Sequence, residues 1–570
     1  MMTNATQNTQ HVVPSGVRAV RAEKRDTDVL IVGAGPTGLT LACELLRIGV
    51  GCRVVDKAEK PSESSRATDI HSRTLELLHR LDAASPLVEK GRTVRAFNAF
   101  AGGRVVSRLD FEALKSPFPF TVAVPQRDTE EILTQRFRAA GGEIERSTRV
   151  DSVSILPNGA TVTLESKGKT ERVNCQYVVG CDGVHSEVRK AVGIEFEGVT
   201  YPERYAVADV DLAWPLANNE VHLFMTPDGF FNAVALPGGP RRGRVLCDLP
   251  LNTSGEPPFE MVESLFHKRT GGIGTMEAPT FVSAFRIHRR LAKHFRKGPV
   301  LLAGDAAHAC SPLLGQGMNL GIQDAFNLAW KLALACRRLA SESLLDSYEL
   351  ERRPVARATL YQTDFIHRVS RVSNGIVTRA RNAAVSLLSR FEVSRNHAAM
   401  TCSALGVAYR TSPVVGTQNF LKLPLTFIDH GFSRVRRPGA PTAGERAPDM
   451  EVAPKRPLLS AESGHHTALL FLSMLPIQKE QRLISELVRL AKLAPAPVNV
   501  RVVTRTLPPS QDPLFVHDLR GQIHQAYGAN KPTLFVVRPD TYVAGVAEPP
   551  DETLITRCLE RVVGAKAGAK

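Results

Sequence analysis

Apolar residues along the first half of the chain form short runs, and each run leads through a glycine-containing turn into a segment with helical spacing. The run Asp28 to Val32 (DVLIV) is followed by GAGPTG and then by LTLACELLRIGV. The run Pro299 to Ala303 (PVLLA) is followed by a glycine loop and a segment that is apolar at helical spacing from Ile322 onward. Buried strands that lead directly into helices are typical of a parallel α/β sheet.

The pattern changes to strict alternation in two regions. Val150 to Val173 alternates around Pro-Asn-Gly and Lys-Gly-Lys, which predicts a β-meander. Glu195 to Arg290 contains short alternating runs between Gly, Pro and Asn turns, which predicts a mostly antiparallel sheet inserted into the first domain. After Trp330 the chain is helical to about Ser394, and Arg353-Pro354 predicts a helix end within that stretch.

A Pro/Gly-rich linker, RRPGAPTAGERA at 436–447, separates this part from the C-terminal part. Beyond the linker, apolar runs and helical segments predict the order β-α-β-α-β-β-α, which resembles a thioredoxin fold. No cysteine occurs between Cys402 and Cys558, so this domain has no C-x-x-C pair for dithiol exchange.

Composition excludes several classes of protein. With 43% hydrophobic and 23% charged residues among 570, the chain has an ordinary globular composition. No run approaches the roughly 20 apolar residues of a membrane span, and the N-terminus has no apolar core like that of a secretory signal. We therefore expect a cytoplasmic protein. The nine cysteines show no C-x-x-C spacing, which argues against a zinc site or a disulfide framework and leaves no metal site predicted.

The net charge is +15, yet the excess is spread along the chain. The basic runs RRLAKHFRK and RVRRP match no nucleic-acid motif. A solvated surface is the favoured interpretation, and an anionic cofactor and substrate account for part of the bias. We expect no nucleic-acid partner.

The motif Gly33-Ala-Gly35-Pro-Thr-Gly38 lies between a predicted strand and a predicted helix, which is the context that gives G-x-G-x-x-G its meaning. A second strand, CRVVD, ends at Asp56, 18 residues after Gly38. The glycines let a pyrophosphate approach the helix N-terminus, and the carboxylate can accept hydrogen bonds from ribose hydroxyls. Asp rather than Arg at this point favours FAD or NAD. The alternative is that these are turn glycines and a strand-ending aspartate.

Two further strands end in acidic turns, Asp182-Gly183 and Gly304-Asp305. Parallel strands bring their carboxyl ends to one edge of the sheet, where α/β proteins bind ligands. After Asp305, the residues Pro312, Gly315 and Gly317 allow an unusual backbone path that brings the amides of Met318 and Asn319 to a helix N-terminus. Taken alone, this stretch is as well explained by a plain strand-loop-helix crossover.

Other candidates are single residues. Arg66 and Arg73 are candidates for phosphate or ring contacts, and Gln126 is free to face a ligand if Asp128 caps the helix that follows. The inserted sheet carries the candidates for substrate contact, each of which has a structural alternative: His222, Met225, Phe230, Asn232 and Arg286. No histidine or tyrosine is distinguished as a catalytic acid or base.

Together, GAGPTG, GCDG and GDAAHACSPLLGQGMNLGIQDAFNLAWKLA resemble the class A flavoprotein monooxygenases, the p-hydroxybenzoate hydroxylase-like family. The resemblance covers roughly Asp26 to Ala356. The C-terminal domain narrows it to the branch that resembles phenol 2-monooxygenase, 3-(3-hydroxyphenyl)propionate hydroxylase, pentachlorophenol monooxygenase and the aromatic polyketide hydroxylases.

The resemblance implies an α/β protein with a Rossmann-like FAD-binding domain, an inserted, mostly antiparallel substrate-binding sheet and a thioredoxin-like C-terminal domain. We predict these segments: a disordered tail (1–25), the FAD-binding domain in two parts (26–194 and, with helices, 291–400), the substrate-binding sheet (195–290), a linker (401–455) and the thioredoxin-like domain (456–566).

It also implies roles for residues. Gly33, Gly35 and Gly38 would bind the FAD pyrophosphate, and Asp56 the adenosine ribose. The other implied contacts are these: Arg66 and Gln126 along the phosphates and ribitol, Asp182 towards both FAD and NAD(P)H, Asp305 at the ribitol, and Pro312 to Asn319 along the isoalloxazine, with the Met318 and Asn319 amides near its O(2) edge.

The implied activity is hydroxylation of a small aromatic substrate. NADH or NADPH would reduce the flavin transiently, and dioxygen would form a C(4a)-hydroperoxide that transfers oxygen to an electron-rich ring. Alternatives on the same fold are a Baeyer-Villiger or epoxidising enzyme and a non-catalytic flavin-binding paralogue. A flavin halogenase is disfavoured, because Trp214 and Trp330 are the only tryptophans and do not form its W-x-W-x-x-I-P motif. A homodimer is left open.

Overall fold

The computed structural model describes residues 25–61, 67–312, 314–370, 375–416, 440–453, 456–459, 464–472, 477–506 and 512–564. The predicted disordered tail lies outside the described residues except for Arg25, and Arg66 lies outside them as well. Among the described helices, none is long and apolar enough to cross a bilayer.

Residues 25–194 form the following elements: β1 (Thr27–Val32), α1 (Pro36–Arg47), β2 (Cys52–Val55), β3 (Asp69–Ile70), α2 (Ser72–His79), α3 (Ala84–Lys90), β4 (Arg92–Val94), β5 (Ala96–Ala101), β6 (Arg104–Asp110), β7 (Thr121–Ala123), α4 (Gln126–Ala139), β8 (Ile144–Glu145), β9 (Thr148–Leu156), β10 (Gly159–Ser166), β11 (Lys169–Gly180) and α5 (Glu187–Ala191).

Residues 196–402 continue with the following elements: β12 (Phe196–Ala213), β13 (Glu220–Thr226), β14 (Gly229–Ala235), β15 (Arg242–Asp248), α6 (Phe259–Thr270), β16 (Thr275–Ala292), β17 (Arg296–Lys297), β18 (Val300–Leu302), a 3-10 turn (Gly304–Ala306), β19 (His308–Ala309), α7 (Gln316–Cys336), α8 (Glu342–Ser370), α9 (Gly375–Arg390) and α10 (Glu392–Cys402).

The C-terminal part contains the following elements: β20 (Glu451–Ala453), β21 (Arg456–Pro457), β22 (His466–Phe471), α11 (Ile477–Leu493), β23 (Val498–Thr504), β24 (Phe515–His517), α12 (Gln522–Tyr527), β25 (Thr533–Val537), β26 (Val543–Ala547) and α13 (Thr553–Val563).

The first sheet has the order β17-β18-β11-β1-β2-β8, with the predicted meander β9-β10 attached to β11. β1 lies parallel to β2 and to β11, and β11 lies parallel to β18. Val29, Leu30 and Ile31 of β1 are fully buried, as expected for a strand covered on both faces. The parallel arrangement brings the ends of β1, β2, β11 and β18 to one edge.

The second sheet has the order β19-β16-β12-β15-β14-β13-β5-β6. All its pairs are antiparallel except β13 with β5, which confirms the prediction of a mostly antiparallel sheet. The sheet is larger than the predicted 195–290 segment, because β5 and β6 join it from the first part of the chain. Their short alternating runs carried no signal of which sheet they would join.

The predicted helix end at Arg353-Pro354 is wrong, because α8 continues through Pro354 to Ser370. Proline removes one backbone hydrogen bond but need not end a helix when side-chain contacts hold both sides. Here Glu351 and Arg352, three and two residues before Pro354, are fixed by buried ion pairs.

The C-terminal sheet has the order β24-β23-β22-β25-β26. It adds the short strand β24 to the predicted order of elements. The turn between β25 and β26 inserts Arg538 against the first domain, where its guanidinium donates to both oxygens of Glu351 at 2.6 and 2.8 Å. Lys331 donates to the same carboxylate at 2.8 Å, and Asp540 accepts from Arg538 at 2.5 Å.

Glu351 is the centre of this buried cluster. Burial by itself would raise the pKa of Glu351, but Arg538 and Lys331 lower it below its usual value. Burial also lowers the pKa of Lys331 to about 8, although Glu351 opposes that shift. Each buried charge in the cluster is therefore compensated by its neighbours.

Replacing Glu351 by Ala should destabilise the protein strongly, because Arg538 and Lys331 would be left as unpaired buried charges. We expect a loss of roughly 3 to 5 kcal/mol in the free energy of unfolding, measured by urea denaturation. The matched control is Glu171→Ala, which removes an exposed carboxylate paired with Arg53 and should cost at most about 1 kcal/mol. Similar losses in both variants would contradict a structural role for the cluster.

Candidate active site

The first glycine motif and the Asp182 motif are in direct contact. Gly33 has φ +107°, and a Cβ at this residue would lie 2.4 Å from the carbonyl oxygen of Cys181. A Cβ at Gly38 would lie 2.0 Å from the carbonyl oxygen of Gly33. Both positions require glycine, and as a result the turns after β1 and β11 form one continuous surface.

Gly35 is different, because a Cβ there would meet no atom within 4 Å. Gly35 precedes α1, which begins with Pro36 and has no side-chain cap at its N-terminus. A helix N-terminus with free amides and open space beside a glycine suits a phosphate group. The structure therefore offers a cradle that fits the pyrophosphate of a dinucleotide.

Asp56 lies beside this cradle at the end of β2. Its Oδ2 accepts a hydrogen bond from the amide of Ala34 at 2.7 Å, and its Oδ1 accepts one from the amide of Ala58 at 2.7 Å. Arg146 lies 3.6 Å from the same carboxylate. Each carboxylate oxygen can accept a second hydrogen bond, so hydroxyl donors of a ribose can still bind here.

Asp182 caps the short helix α5 through one oxygen. Its Oδ2 accepts from the amides of Glu187 and Val188 at 2.7 and 3.2 Å. Its Oδ1 is buried and has no partner within the described part of the chain. Burial raises the pKa of this carboxyl, against the hydrogen bonds that lower it. An orphaned acceptor beside the glycine turn fits a ligand that donates a hydrogen bond.

The third motif packs on the first through Thr37 of GAGPTG. A Cβ at Gly304 would lie 2.5 Å from Thr37 Oγ1, and one at Gly321 would lie 2.2 Å from it. Gly304 also has φ +61°. Because neither glycine can carry a side chain, α7 and the Gly304–Asp305 turn lie directly against the start of α1.

Asp324 of α7 fixes the position of the turn that carries Asp305. Asp324 Oδ2 accepts from the amide of Gly304 at 3.1 Å and from His308 Nε2 at 2.6 Å. The Asp305 side chain reaches water, yet protein encloses it on its other sides, and this enclosure raises the pKa of its carboxyl. Asp305 therefore points into open space at the same edge of the sheet as Asp56 and Asp182.

The loop before α7 leads to a second uncapped helix N-terminus. Gly315 adopts φ +61° at the N-cap, and no side chain caps α7. A Cβ at Gly315 would lie 2.7 Å from Cβ of Asp69, whereas one at Gly317 would make an ordinary contact with Cys310. Pro312 and Met318 are half-buried in this loop and helix start.

His71 and Asn319 fix the path of that loop. Leu314 has φ +72°, a conformation that side-chain-bearing residues rarely adopt, and its carbonyl oxygen lies 2.9 Å from His71 Nε2. His71 Nδ1 lies 3.1 Å from Thr121 Oγ1. The fully buried Asn319 side chain accepts from the amide of His71 and donates to the carbonyl oxygens of Asp69 and Gly315.

The remaining polar candidates have different positions. Gln126 is the first residue of α4, and its side chain donates to Glu130 at 2.8 Å. Arg66 lies outside the described residues. Arg73 is not available to a phosphate, because it is fully buried, pairs with Glu76 and donates to Thr541 of the C-terminal domain at 2.8 Å. Its interpretation as a ligand contact is wrong.

The five candidates on the inserted sheet lie on opposite faces. Met225 and Phe230 share an apolar cluster with Leu246 and Ile287, and Asn232 follows Phe230 on the same face. His222 lies on the other face, where its ring packs edge-on against Trp214 with centroids 5.3 Å apart.

Arg286 is exposed and adjoins Ile287, so it points away from the apolar cluster. The structure therefore brings Met225, Phe230 and Asn232 together, and it separates His222 and Arg286 from them. Single polar residues in a strand gave no signal of the face they would occupy, because that depends on a register set by distant strands.

Sequence reasoning missed His71, Asp69 and Asp324, which support the loop and the acidic turn. Asp324 lies within the motif that carries the resemblance, where its polarity in the segment GIQDAFNLAW was the available signal. Asp69 and His71 lie in the largely polar segment ATDIHSRTLELL, where nothing distinguishes them from their neighbours.

The burial of His71 predicts a pH-dependent stability. Burial lowers the pKa of His71 from 6.5 to about 4, despite its hydrogen bonds to the loop backbone. As the pH falls below about 6.5, the unfolded chain takes up a proton that the folded protein does not, so stability is lost between about pH 6.5 and 4. The expected contribution is about 3 kcal/mol.

Urea denaturation across this pH range should show a shallower dependence for His71→Gln than for the unsubstituted protein. His185→Gln, which replaces an exposed histidine, is the matched control and should leave the curve unchanged. A His71→Gln curve that runs parallel to the original would contradict the prediction.

Comparison with known proteins agrees with this arrangement. Residues 26–363 match the family model described as "FAD binding domain". The chain is 31% identical over 535 residues to pentachlorophenol 4-monooxygenase of Sphingobium chlorophenolicum, an alignment that covers 91% of this chain and 94% of that protein. It is 36% identical over 395 residues to 6-methylpretetramide 4-monooxygenase of Streptomyces rimosus, covering 68% of this chain and 70% of that protein.

Among solved structures, OxyS anhydrotetracycline hydroxylase from Streptomyces rimosus superposes with a TM-score of 0.70 at 28% identity, covering 95% of this chain and all of that one. The match therefore includes both sheets and the C-terminal domain. The chain belongs to the FAD-binding-domain family of FAD-dependent aromatic monooxygenases and is such an enzyme.

Proposed function

We propose that this enzyme hydroxylates a phenolic or polycyclic aromatic substrate, with FAD as its flavin, NADH or NADPH as reductant and dioxygen as the source of oxygen. The observation that carries the proposal is the meeting of three glycine and aspartate motifs around an uncapped helix N-terminus, beside a sheet with a buried apolar face. Relatives named for a chlorinated phenol and for polycyclic pretetramide and tetracycline compounds support this class of substrate.

The residues present fit FAD. Gly33, Gly35 and Gly38 would admit the pyrophosphate at the N-terminus of α1, where free amides favour negative charge. Asp56 would accept hydrogen bonds from the adenosine ribose, and Asp305 from the ribitol. These carboxylates are held in position by backbone amides or by Asp324, so they need little reorganisation when the ligand binds.

The flavin ring would lie along Pro312 to Asn319. The amides of Met318 and Asn319, near the uncapped start of α7, would stabilise negative charge on the reduced ring. Asp182, with one free oxygen, would serve FAD and the transient pyridine nucleotide, and Gln126 would approach the ribitol. Bound FAD, once reduced, supplies activated oxygen to the substrate, and the protein excludes water and orients the ring.

The substrate would lie against the face of the inserted sheet that carries Met225, Phe230 and Asn232. The apolar cluster around Phe230 provides non-directional contact with an aromatic ring. Asn232 Oδ1 is buried and has no partner within the described residues, so it offers an acceptor for a substrate hydroxyl.

For the C-terminal domain we propose a structural role on a thioredoxin-like scaffold. Its element order supports the likeness, and Cys558, the one cysteine after Cys402, is buried and has its pKa raised to about 11 by burial. Its contacts with the FAD-binding domain include the buried pair of Arg538 and Glu351.

The activity can be tested directly on the purified protein. Loaded with FAD, it should be yellow and should oxidise NADPH or NADH in air faster when a suitable phenol or polyketide is added, with a product that has gained one oxygen atom. The oxidation rate is measured by the loss of NADPH or NADH absorbance, and the oxygenated product is identified by mass spectrometry. An anaerobic reaction is the control and should give no product. If no compound in a broad panel alters either readout, the proposed substrate class is wrong.

Gly35→Ala tests the phosphate cradle. The added methyl group meets no protein atom within 4 Å, so apoprotein stability should change by less than about 0.5 kcal/mol. The methyl group would occupy the space of the pyrophosphate, so FAD affinity should fall by about 10-fold or more. Fluorescence titration of the apoprotein with FAD measures this.

Gly51→Ala is the matched control, because a Cβ at Gly51 also meets open space but lies before β2, away from the cradle. Its FAD affinity should be unchanged. Equal FAD affinity in Gly35→Ala and the unsubstituted protein would refute the placement of the pyrophosphate.

A further inference from the structure

Asp69 lies where the loop before α7 meets the inserted sheet. It opens β3, and its Cβ and Oδ2 both lie 2.7 Å from the position that a Cβ on Gly315 would occupy. Its backbone oxygen accepts from Asn319 Nδ2 at 2.7 Å. Asp69 is therefore held against the part of the loop that we assign to the flavin ring.

The carboxylate of Asp69 has an unused acceptor. Oδ1 is buried and has no hydrogen-bond partner within the described residues. Burial raises the pKa of Asp69 to about 6, although the charge of Arg244 and a hydrogen bond from Thr68 oppose the shift. A buried carboxylate oxygen without a donor is costly, and a bound hydroxyl group would relieve that cost.

Arg244 connects Asp69 to the substrate face of the sheet. It lies on β15 two residues before Leu246, so both side chains point to the face that carries Phe230. Arg244 is held in place by Asp209, which accepts at 2.6 and 2.8 Å. The charge of Arg244 acts on Asp69, but Arg244 donates no hydrogen bond to Oδ1 of Asp69.

The charged and titratable groups around Asp69 in the described structure are few. Arg244 with Asp209 faces it from the sheet. His71 follows β3 at the start of α2 and directs its ring to Leu314 and Thr121. On the side of α7, Asp69 meets the backbone of Gly315. No described group donates a hydrogen bond to Oδ1 of Asp69, so this oxygen can accept one from a ligand.

We propose that Asp69 is a catalytic residue that accepts the proton of the substrate hydroxyl. The inference rests on the proposed function. In this step the phenol O–H bond breaks, its electron pair stays on oxygen as phenolate, and the carboxylate becomes a neutral acid. The phenolate makes the ring more electron-rich for oxygen transfer. When the hydroxylated ring then loses its C–H proton to water and regains aromaticity, Asp69 returns its proton to the substrate oxygen.

The test compares two phenols in the FAD-loaded enzyme. One is neutral at the assay pH. The other, 2,3,5,6-tetrafluorophenol, is already ionised and keeps one ring C–H bond for the hydroxylation. Asp69→Asn should lower turnover of the neutral phenol by about 100-fold and should change turnover of tetrafluorophenol by less than about 3-fold, since no hydroxyl proton has to be removed. Flavin absorbance should show equal FAD occupancy in both proteins.

The pH profile gives a second readout. With the neutral phenol, turnover should rise as the pH passes about 6, because Asp69 must be ionised to accept a proton. Asp69→Asn should lack this rise. The control is Asp151→Asn, which removes an exposed carboxylate on β9 and should retain both the rate and the rise. Equal losses for both phenols, or an unchanged pH profile, would overturn the role of Asp69.

Binding separates this inference from the proposed function. Each phenol should perturb the flavin absorbance band on binding. Asp69→Asn should weaken binding of the neutral phenol and strengthen binding of tetrafluorophenolate, because a negative charge has been removed. Identical binding of both probes by the two proteins would overturn the role of Asp69. The proposed substrate class would instead be overturned if the two proteins bind the phenols with the expected differences but the unsubstituted enzyme oxidises neither phenol.

Discussion

The carboxylate of Asp324 is the constraint on which the site depends. It is fully buried, and it accepts hydrogen bonds from the turn at Gly304, from His308 and from Arg352 of α8. Burial would raise the pKa of Asp324, but Arg352 and His308 lower it below its usual value. A buried charge with several fixed donors holds its neighbours rigidly, because each missing partner would leave a polar group unsatisfied. The acidic turn that carries Asp305 is thereby tied to two helices at once.

The same helices extend this polar framework into the C-terminal domain. Arg352 donates to Tyr409 at 2.9 Å, and its neighbour Glu351 binds Arg538. On the other side, Arg73 of α2 donates to Asp540 and Thr541, which belong to the turn that carries Arg538. The C-terminal domain is thus joined to the FAD-binding domain by buried charges rather than by an apolar surface alone. Such contacts fix the relative position of domains, since a shift would break several directional bonds together.

Sequence was sufficient for those parts of the fold that rest on local rules. The pattern of a strand, a glycine turn and a helix predicted the turn that contains Gly33 and Gly38, where a close backbone approach can only be made with glycine. The order of strands in the inserted sheet was not accessible, because β5 and β6 join it through pairing that no local pattern specifies. For the same reason the faces of His222 and Arg286 could not be assigned.

The substrate side of the site is hidden from sequence for a related physical reason. Contact between an aromatic ring and the cluster around Phe230 is non-directional, so many apolar sequences would serve equally well. A ring is oriented only by the few polar groups beside it. The described structure leaves a buried acceptor without a partner on Asn232, from the sheet, and on Asp69, beside the flavin loop. Because different elements carry these two acceptors, the substrate position that we propose depends on how the inserted sheet is seated on the FAD-binding domain.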